Sequence, residues 1–198
     1  MESLKKLREQ SKKRNFNQSV ELIVNLKDID TKKQENRFTE DVFLPNGKGI
    51  ESKVLVFSDT FKDSDIEIMN SQEIQKLSKR DAKKLAKNID FFLAEPKLMP
   101  IIGKFLGQYI GPRGKLPKIV SGDIKSMVES YKKAVRIKLK DAPVIQCQVG
   151  KENMSDEKIV ENIEHVLNFL ESKLPKGKNN IKKILIKLTM SKPVEVKV

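Results

Sequence analysis

Lys183-Ile184-Leu185-Ile186-Lys187-Leu188-Thr189-Met190-Ser191-Lys192-Pro193 is the stretch on which the reading of this chain turns. Taken as a strand, its period of two sets Ile184, Ile186 and Leu188 on one face and Lys183, Leu185, Lys187 and Thr189 on the other. One face is core; the other is largely cationic and polar. The Thr-Met-Ser-Lys tip adds two hydroxyls, a flexible apolar side chain and an ammonium ahead of Pro193, whose missing amide donor suits a strand end.

Composition says what such a face is for. Across 198 residues, 40 Lys and Arg against 27 Asp and Glu leave a formal charge of +13 at pH 7. A surface this positive repels itself and gains by releasing counterions from phosphates. On charge alone, nucleic acid, an acidic membrane and plain solubility all stay open. Distribution narrows them. Cations gather in the N-terminal helix, from Lys104 to Lys140, and in the last twenty-five or so residues, whereas the segment from Asp156 to Glu171 is acidic. Segregated charge favours a binding face over generic solubility. The 183–190 face, together with a piece of the N-terminus, therefore reads as an RNA-binding surface. The long apolar runs of a bilayer span and the apolar core of a secretion signal are both missing, so the expectation is a cytoplasmic protein with no membrane partner. The single Cys147 excludes an internal disulfide framework, and its alternation with Ile145 and Val149 makes it a small buried hydrophobe.

Outward from that stretch, the two chain ends share one style. Residues up to about Arg14 form a short basic helix, which is either a solvated face or part of the binding surface. Ser19 to Leu26 alternates as a strand with Val20, Leu22, Val24 and Leu26 inward, and a less regular strand from about Arg37 to Leu44 ends at the Asn46-Gly47 turn signal. Near the other end, Ser155 can cap a helix whose Ile159, Ile163, Val166, Leu167, Leu170 and Leu174 make one apolar stripe, with His165 exposed off it. Two strands, 183–190 and 194–198, follow.

The middle has a different rhythm. Strands at 54–57, 66–69 and 90–94 alternate with a lysine-rich helix at 73–88 and an apolar helix at about 96–106. A glycine-rich loop, a helix near 124–133 and strands near 135–140 and 143–149 complete it. Strands alternating with helices predict a sheet covered on both faces. The fold class expected is therefore α/β with two domains. A split α+β domain is built from both chain ends, residues 1–51 and 154–198, and a Rossmann-like three-layer α/β domain, residues 52–153, is inserted into it. The joints fall at Asn46-Gly47-Lys48-Gly49 and Val149-Gly150-Lys151, where glycines suit hinges.

Catalytic chemistry finds little support. The segment Gly107 to Lys118 resembles a phosphate loop but has Tyr109 where a nucleotide loop needs its first glycine and Leu116 where it needs a hydroxyl. Gly107, Gly111 and Gly114 also lack the spacing of a dinucleotide fingerprint and follow a helix. Arg113, Lys115 and Lys118 on this loop are either secondary RNA contacts or parts of a structural turn. One histidine and one cysteine supply neither a zinc site nor a triad, so no metal, cofactor or catalytic residue is expected. The alternative to an RNA-binding protein is a nucleotide-dependent enzyme using the middle domain.

Arg14-Asn15-Phe16 with Ser19-Val20-Glu21, Leu44-Pro45 before a glycine turn, Ile110 to Pro117, and Leu188-Thr189-Met190 stand together in one order and spacing. On these motifs the chain resembles, over its whole length, the universal large-subunit ribosomal protein one family, the protein of the mobile side stalk, in its archaeal form. The resemblance implies two domains, the second inserted into the first. It implies binding to large-subunit ribosomal RNA, help in releasing exit-site tRNA, and repression of translation through the chain's own messenger RNA. It implies a ribosome-associated protein, monomeric outside the ribosome. By motif, the RNA contacts carried over are Phe16, Ser19, Glu21, Thr189, Met190 and Ser191; strand alternation adds Lys183 and Lys187. Ser191 stands where the family usually has glycine, which bears on backbone approach and on a positive φ there.

Overall fold

The computed structural model describes residues 2–196, so the last two residues of the expected 194–198 strand lie outside the described part. The first half runs α1 (Glu2–Gln10), β1 (Ser19–Leu26), β2 (Phe38–Phe43), β3 (Val54–Phe57), β4 (Glu67–Met69), α2 (Ser71–Lys76), α3 (Lys79–Asn88) and β5 (Phe91–Ala94). The second half runs α4 (Met99–Ile110), β6 (Lys118–Ile119), α5 (Ile124–Lys132), β7 (Ala134–Leu139), β8 (Val144–Lys151), α6 (Asp156–Lys173), β9 (Ile181–Leu188) and β10 (Val194–Val196). The chain is α/β and divides into two compact units, a terminal unit of 1–51 with 133–198 and a middle unit of Ser52–Lys132.

In the terminal unit four antiparallel strands stand in the order β10-β9-β1-β8. Alternation works as the sequence implies: Val20, Leu22, Val24 and Leu26 are buried on one face with Ile184, Ile186, Leu188, Ile145, Cys147 and Val149. Their core also takes Leu4 and Leu7 from α1 and Ile159, Ile163, Val166 and Leu170 from α6. His165 is exposed, as its place off that stripe requires. Ser155 takes the cap position of α6 with extended backbone, but its side chain makes no capping bond. Arg8 holds α1 to this end instead, donating to Asp156 at 2.9 Å and to the carbonyls of Glu152 at 2.6 Å and Met154 at 2.9 Å.

The second boundary of the inserted unit differs from expectation. Residues 133–153 pair with the chain ends: β7 lies antiparallel to β2, and β8 lies antiparallel to β1. The joint expected at Val149-Gly150-Lys151 is thus the end of β8, paired with the start of β1, and a Cβ on Gly150 would meet Ile159 at 3.1 Å. The turn at 46–49 does need glycine, since Gly47 and Gly49 have φ of 62° and 80°.

In the middle unit the parallel sheet runs β4-β3-β5-β6. Every residue of β3 and β5 is buried, as a strand covered on both faces demands. Leu55, Phe57, Phe92 and Ala94 pack with Ile74 of α2, Ala82 and Ala86 of α3, and Ile102 and Leu106 of α4. The alternate residues point the other way, where Phe91 meets Tyr131 of α5 with ring centroids 5.3 Å apart. The single helix expected at 73–88 is two, because Ser78 accepts from the Asp81 amide and starts α3 afresh. The apolar helix runs on past Leu106 to Ile110, since Ile110 is buried one turn beyond it.

Cys147 lies within the terminal core, and burial pushes its thiol up to about 12. A thiol reagent at pH 8 should therefore label native protein far more slowly than urea-unfolded protein; equal rates would place the sulfur at the surface.

Candidate RNA-binding face

The outward face of the terminal sheet brings most of the expected residues together. Ser19 and Thr189 are clasped reciprocally: the Ser19 amide donates to Thr189 Oγ1 at 3.0 Å, and the Thr189 amide donates to the Ser19 carbonyl at 3.1 Å. Two strands that begin and end 170 residues apart are locked at this point. Next along, Glu21 stands directly opposite Lys187, with carboxylate and ammonium 3.8 Å apart on the half-exposed face. Phe16 and Met190 are exposed at 51% and 60%, large apolar side chains left to solvent on the segments that enter β1 and leave β9.

The bonds leave defined chemistry unspent. Thr189 Oγ1 accepts from backbone, so its own proton points to be donated; Ser19 Oγ accepts from Lys151 Nζ at 3.0 Å, and its proton is likewise left to donate. Glu21 can only accept. A carboxylate beside phosphates is unfavourable unless it takes a base amine or a 2′-hydroxyl, and its neighbour Lys187 offsets its charge. Two oriented hydroxyl donors, one acceptor, two ammonium groups and two apolar side chains are what hydroxyl-rich, structured RNA can be read with.

Ser191 belongs to this end structurally. The Leu188 amide donates to its Oγ at 2.9 Å, and its own amide donates to the Leu188 carbonyl at 3.0 Å, closing the turn after β9. Among the described residues Asp28 is the one non-glycine with positive φ, so serine fits position 191 without a left-handed backbone. Lys183 is set apart. It pairs with Glu195 of β10 at 2.9 Å and sits opposite Asn25, some 20 Å along the strand from Thr189 at the usual rise.

Two residues at this site escaped the sequence reading. Gln18 is buried at 1% exposure, accepts from the Met190 amide at 3.1 Å, and has its own carbonyl bonded by the Glu152 amide at 2.9 Å. Lys151, opposite Ser19 on β8, also reaches the Asn17 carbonyl at 3.3 Å. A polar residue before a strand gives no periodic signal, and Lys151 lay in what was expected to be a joint.

The glycine-rich loop of the middle unit divides. Lys115 is turned to the end of α3, where its ammonium donates to the carbonyls of Ala86 at 3.1 Å and Ile89. It satisfies open carbonyls of a helix C-terminus, which agrees with the structural-turn alternative for this residue. Arg113 and Lys118 are exposed. For nucleotides, the place to bind would be the crevice at the carboxyl ends of β3 and β5, where the strand order reverses. That crevice holds the Glu95 carboxylate, which accepts from Ser58 Oγ and, at 2.6 Å, from Thr60 Oγ1. Those hydroxyl bonds, Ser58 first, hold its pKa below the ordinary value, and a fixed negative charge there opposes a phosphate.

Comparison with known proteins gives one answer. The family model described as "Ribosomal protein L1p/L10e family" matches residues 6–192. A protein of Pyrococcus horikoshii named large ribosomal subunit protein uL1 is 46% identical over 99% of this chain and 94% of its own length. Proteins of the same name from Methanobrevibacter smithii and Methanocaldococcus jannaschii are each 45% identical, covering 99% and 100% of this chain and 97% and 94% of their own lengths. These relatives carry the name of a ribosomal protein and no enzymatic name.

Proposed function

This chain belongs to the ribosomal protein L1p/L10e family, and we propose on that footing that it is a constituent of the large ribosomal subunit whose terminal unit grips folded ribosomal RNA. It is not an enzyme, and the nucleotide-dependent alternative has no support from its relatives. Lysines supply affinity through phosphates; the Ser19, Glu21 and Thr189 side chains supply selection through hydroxyls and base edges. The observation that carries this reading is the reciprocal Ser19 and Thr189 clasp with Glu21 and Lys187 beside it. As a protein of the mobile side stalk in the cytoplasmic ribosome, it helps deacylated tRNA leave the exit site. The same face binds a similar fold in its own messenger RNA and represses translation.

Binding to a side-stalk ribosomal RNA fragment tests the face directly. Thr189→Ala should cost about 1 to 3 kcal/mol at every salt concentration, because it removes a hydrogen bond rather than a phosphate contact. Thr189→Ser should retain most of the affinity. A loss that fades as salt rises would contradict the role given to Thr189. Release of the protein from large subunits by a moderate salt wash would remove the ribosomal reading itself.

A further inference from the structure

The middle unit carries a cationic groove that the terminal face does not use. Arg80, Lys83, Lys84 and Lys87 follow one another at i, i+3, i+4 and i+7 on α3, a single helix face about 10 Å long at the usual rise. The opposite face of α3 buries Ala82 and Ala86 in the core, so the cationic side is turned outward. Across a groove of about 630 Å³ stand Tyr109 and Arg113, at and just beyond the end of α4. The groove's lining contains no carboxylate. By contrast, the groove above β3 and β4 is lined by Asp59, Asp63 and Glu73.

Among the described residues no ion pair engages Arg80, Lys83, Lys84 or Lys87. Like charges at i, i+3 and i, i+4 disfavour a helix, so this face burdens the fold in a way that a polyanion relieves. The negative end of α3 would repel that polyanion, but Lys115 covers its carbonyls. The arrangement has what a phosphate-tracking groove needs: a row of donors, an aromatic side chain to lie against sugar or base, and no competing acid.

We propose that the α3 and α4 groove is a second RNA site, which holds the phosphodiester backbone without regard to sequence. It rests on the reading of this chain as an RNA binder but on none of the terminal-face residues. The α3 cations meet successive phosphates from one side, while Arg113 and Tyr109 close on the strand from the other. Specificity then comes from the terminal face and added grip from this groove.

The experiment uses the full chain, a single-stranded RNA of unrelated sequence, and fluorescence anisotropy over a range of salt. The triple variant Lys83→Gln, Lys84→Gln, Lys87→Gln should bind this strand about tenfold or more weakly at low salt, with the slope of log affinity against log salt reduced by about two. Lys83→Arg, Lys84→Arg, Lys87→Arg should keep the affinity, which excludes a folding defect as the cause. An unchanged affinity and slope for the single strand in the glutamine variant would overturn the proposal. So would weak binding by the arginine variant, or loss of binding to phosphatidylserine vesicles in place of RNA. Failure of the terminal-face reading would register separately, in Thr189→Ala and the side-stalk fragment.

Discussion

Replacing Asn162 by leucine is expected to destabilise the terminal unit by about 3 to 5 kcal/mol, since two buried carbonyls and a part-buried amide lose their partner at once. Asn162 is fully buried on α6. Its Nδ2 donates to the carbonyls of Gly47 at 2.7 Å and Val149 at 2.8 Å, and its Oδ1 accepts from the Asn46 amide at 3.1 Å. One side chain thereby ties a turn, the end of a strand and a helix. Leucine keeps the branched four-atom outline but is larger, so some overpacking adds to the loss of polar satisfaction. Urea unfolding followed by hydrogen exchange of β1 and β9 amides measures it. A loss below about 1 kcal/mol would mean that water reaches Gly47 and Val149.

Asp41→Ala should cost a similar amount, about 3 to 5 kcal/mol, by removing the carboxylate that faces a largely buried guanidinium. Asp41 and Arg136 face each other across β2 and β7, bonded at 2.6 and 3.3 Å, with side-chain exposures of 4% and 11%. The pair itself is not the source of stability; its half is the hazard. Changing both Asp41 and Arg136 to valine, which suits a strand, should therefore recover most of what the single change loses. If the double variant is as unstable as the single one, the pair contributes more than desolvation arguments allow.

Strand faces were legible in the sequence and strand partners were not. A period of two says that Val20, Leu22 and Val24 share a side, and the same holds for Ile184, Ile186 and Leu188, but nothing in the pattern says which strand lies beside which. For this reason β7 and β8 could be assigned by order to the middle unit, although their hydrogen bonds go to β2 and β1. The break between α2 and α3 was legible, in Ser78 three residues before Asp81, but the run of lysines hid it. Asn162, Gln18 and Lys115 were not legible, because a polar residue on a helix or loop is usually exposed, and only tertiary contact shows which ones turn inward. For the candidate face, hydroxyls and charges on alternate positions could be read in advance. Lys151 and the clasp between Ser19 and Thr189 required the register of three strands.

That clasp has a bearing on how the molecule is made. Its halves leave the peptidyl-transferase tunnel 170 residues apart, so β1 waits unpaired through most of synthesis while the middle unit can already fold. A nascent or prematurely terminated chain lacks the assembled face proposed to bind RNA. On the proposed reading, selective RNA contact becomes a certificate of complete translation, withheld until the carboxyl-terminal strands have emerged.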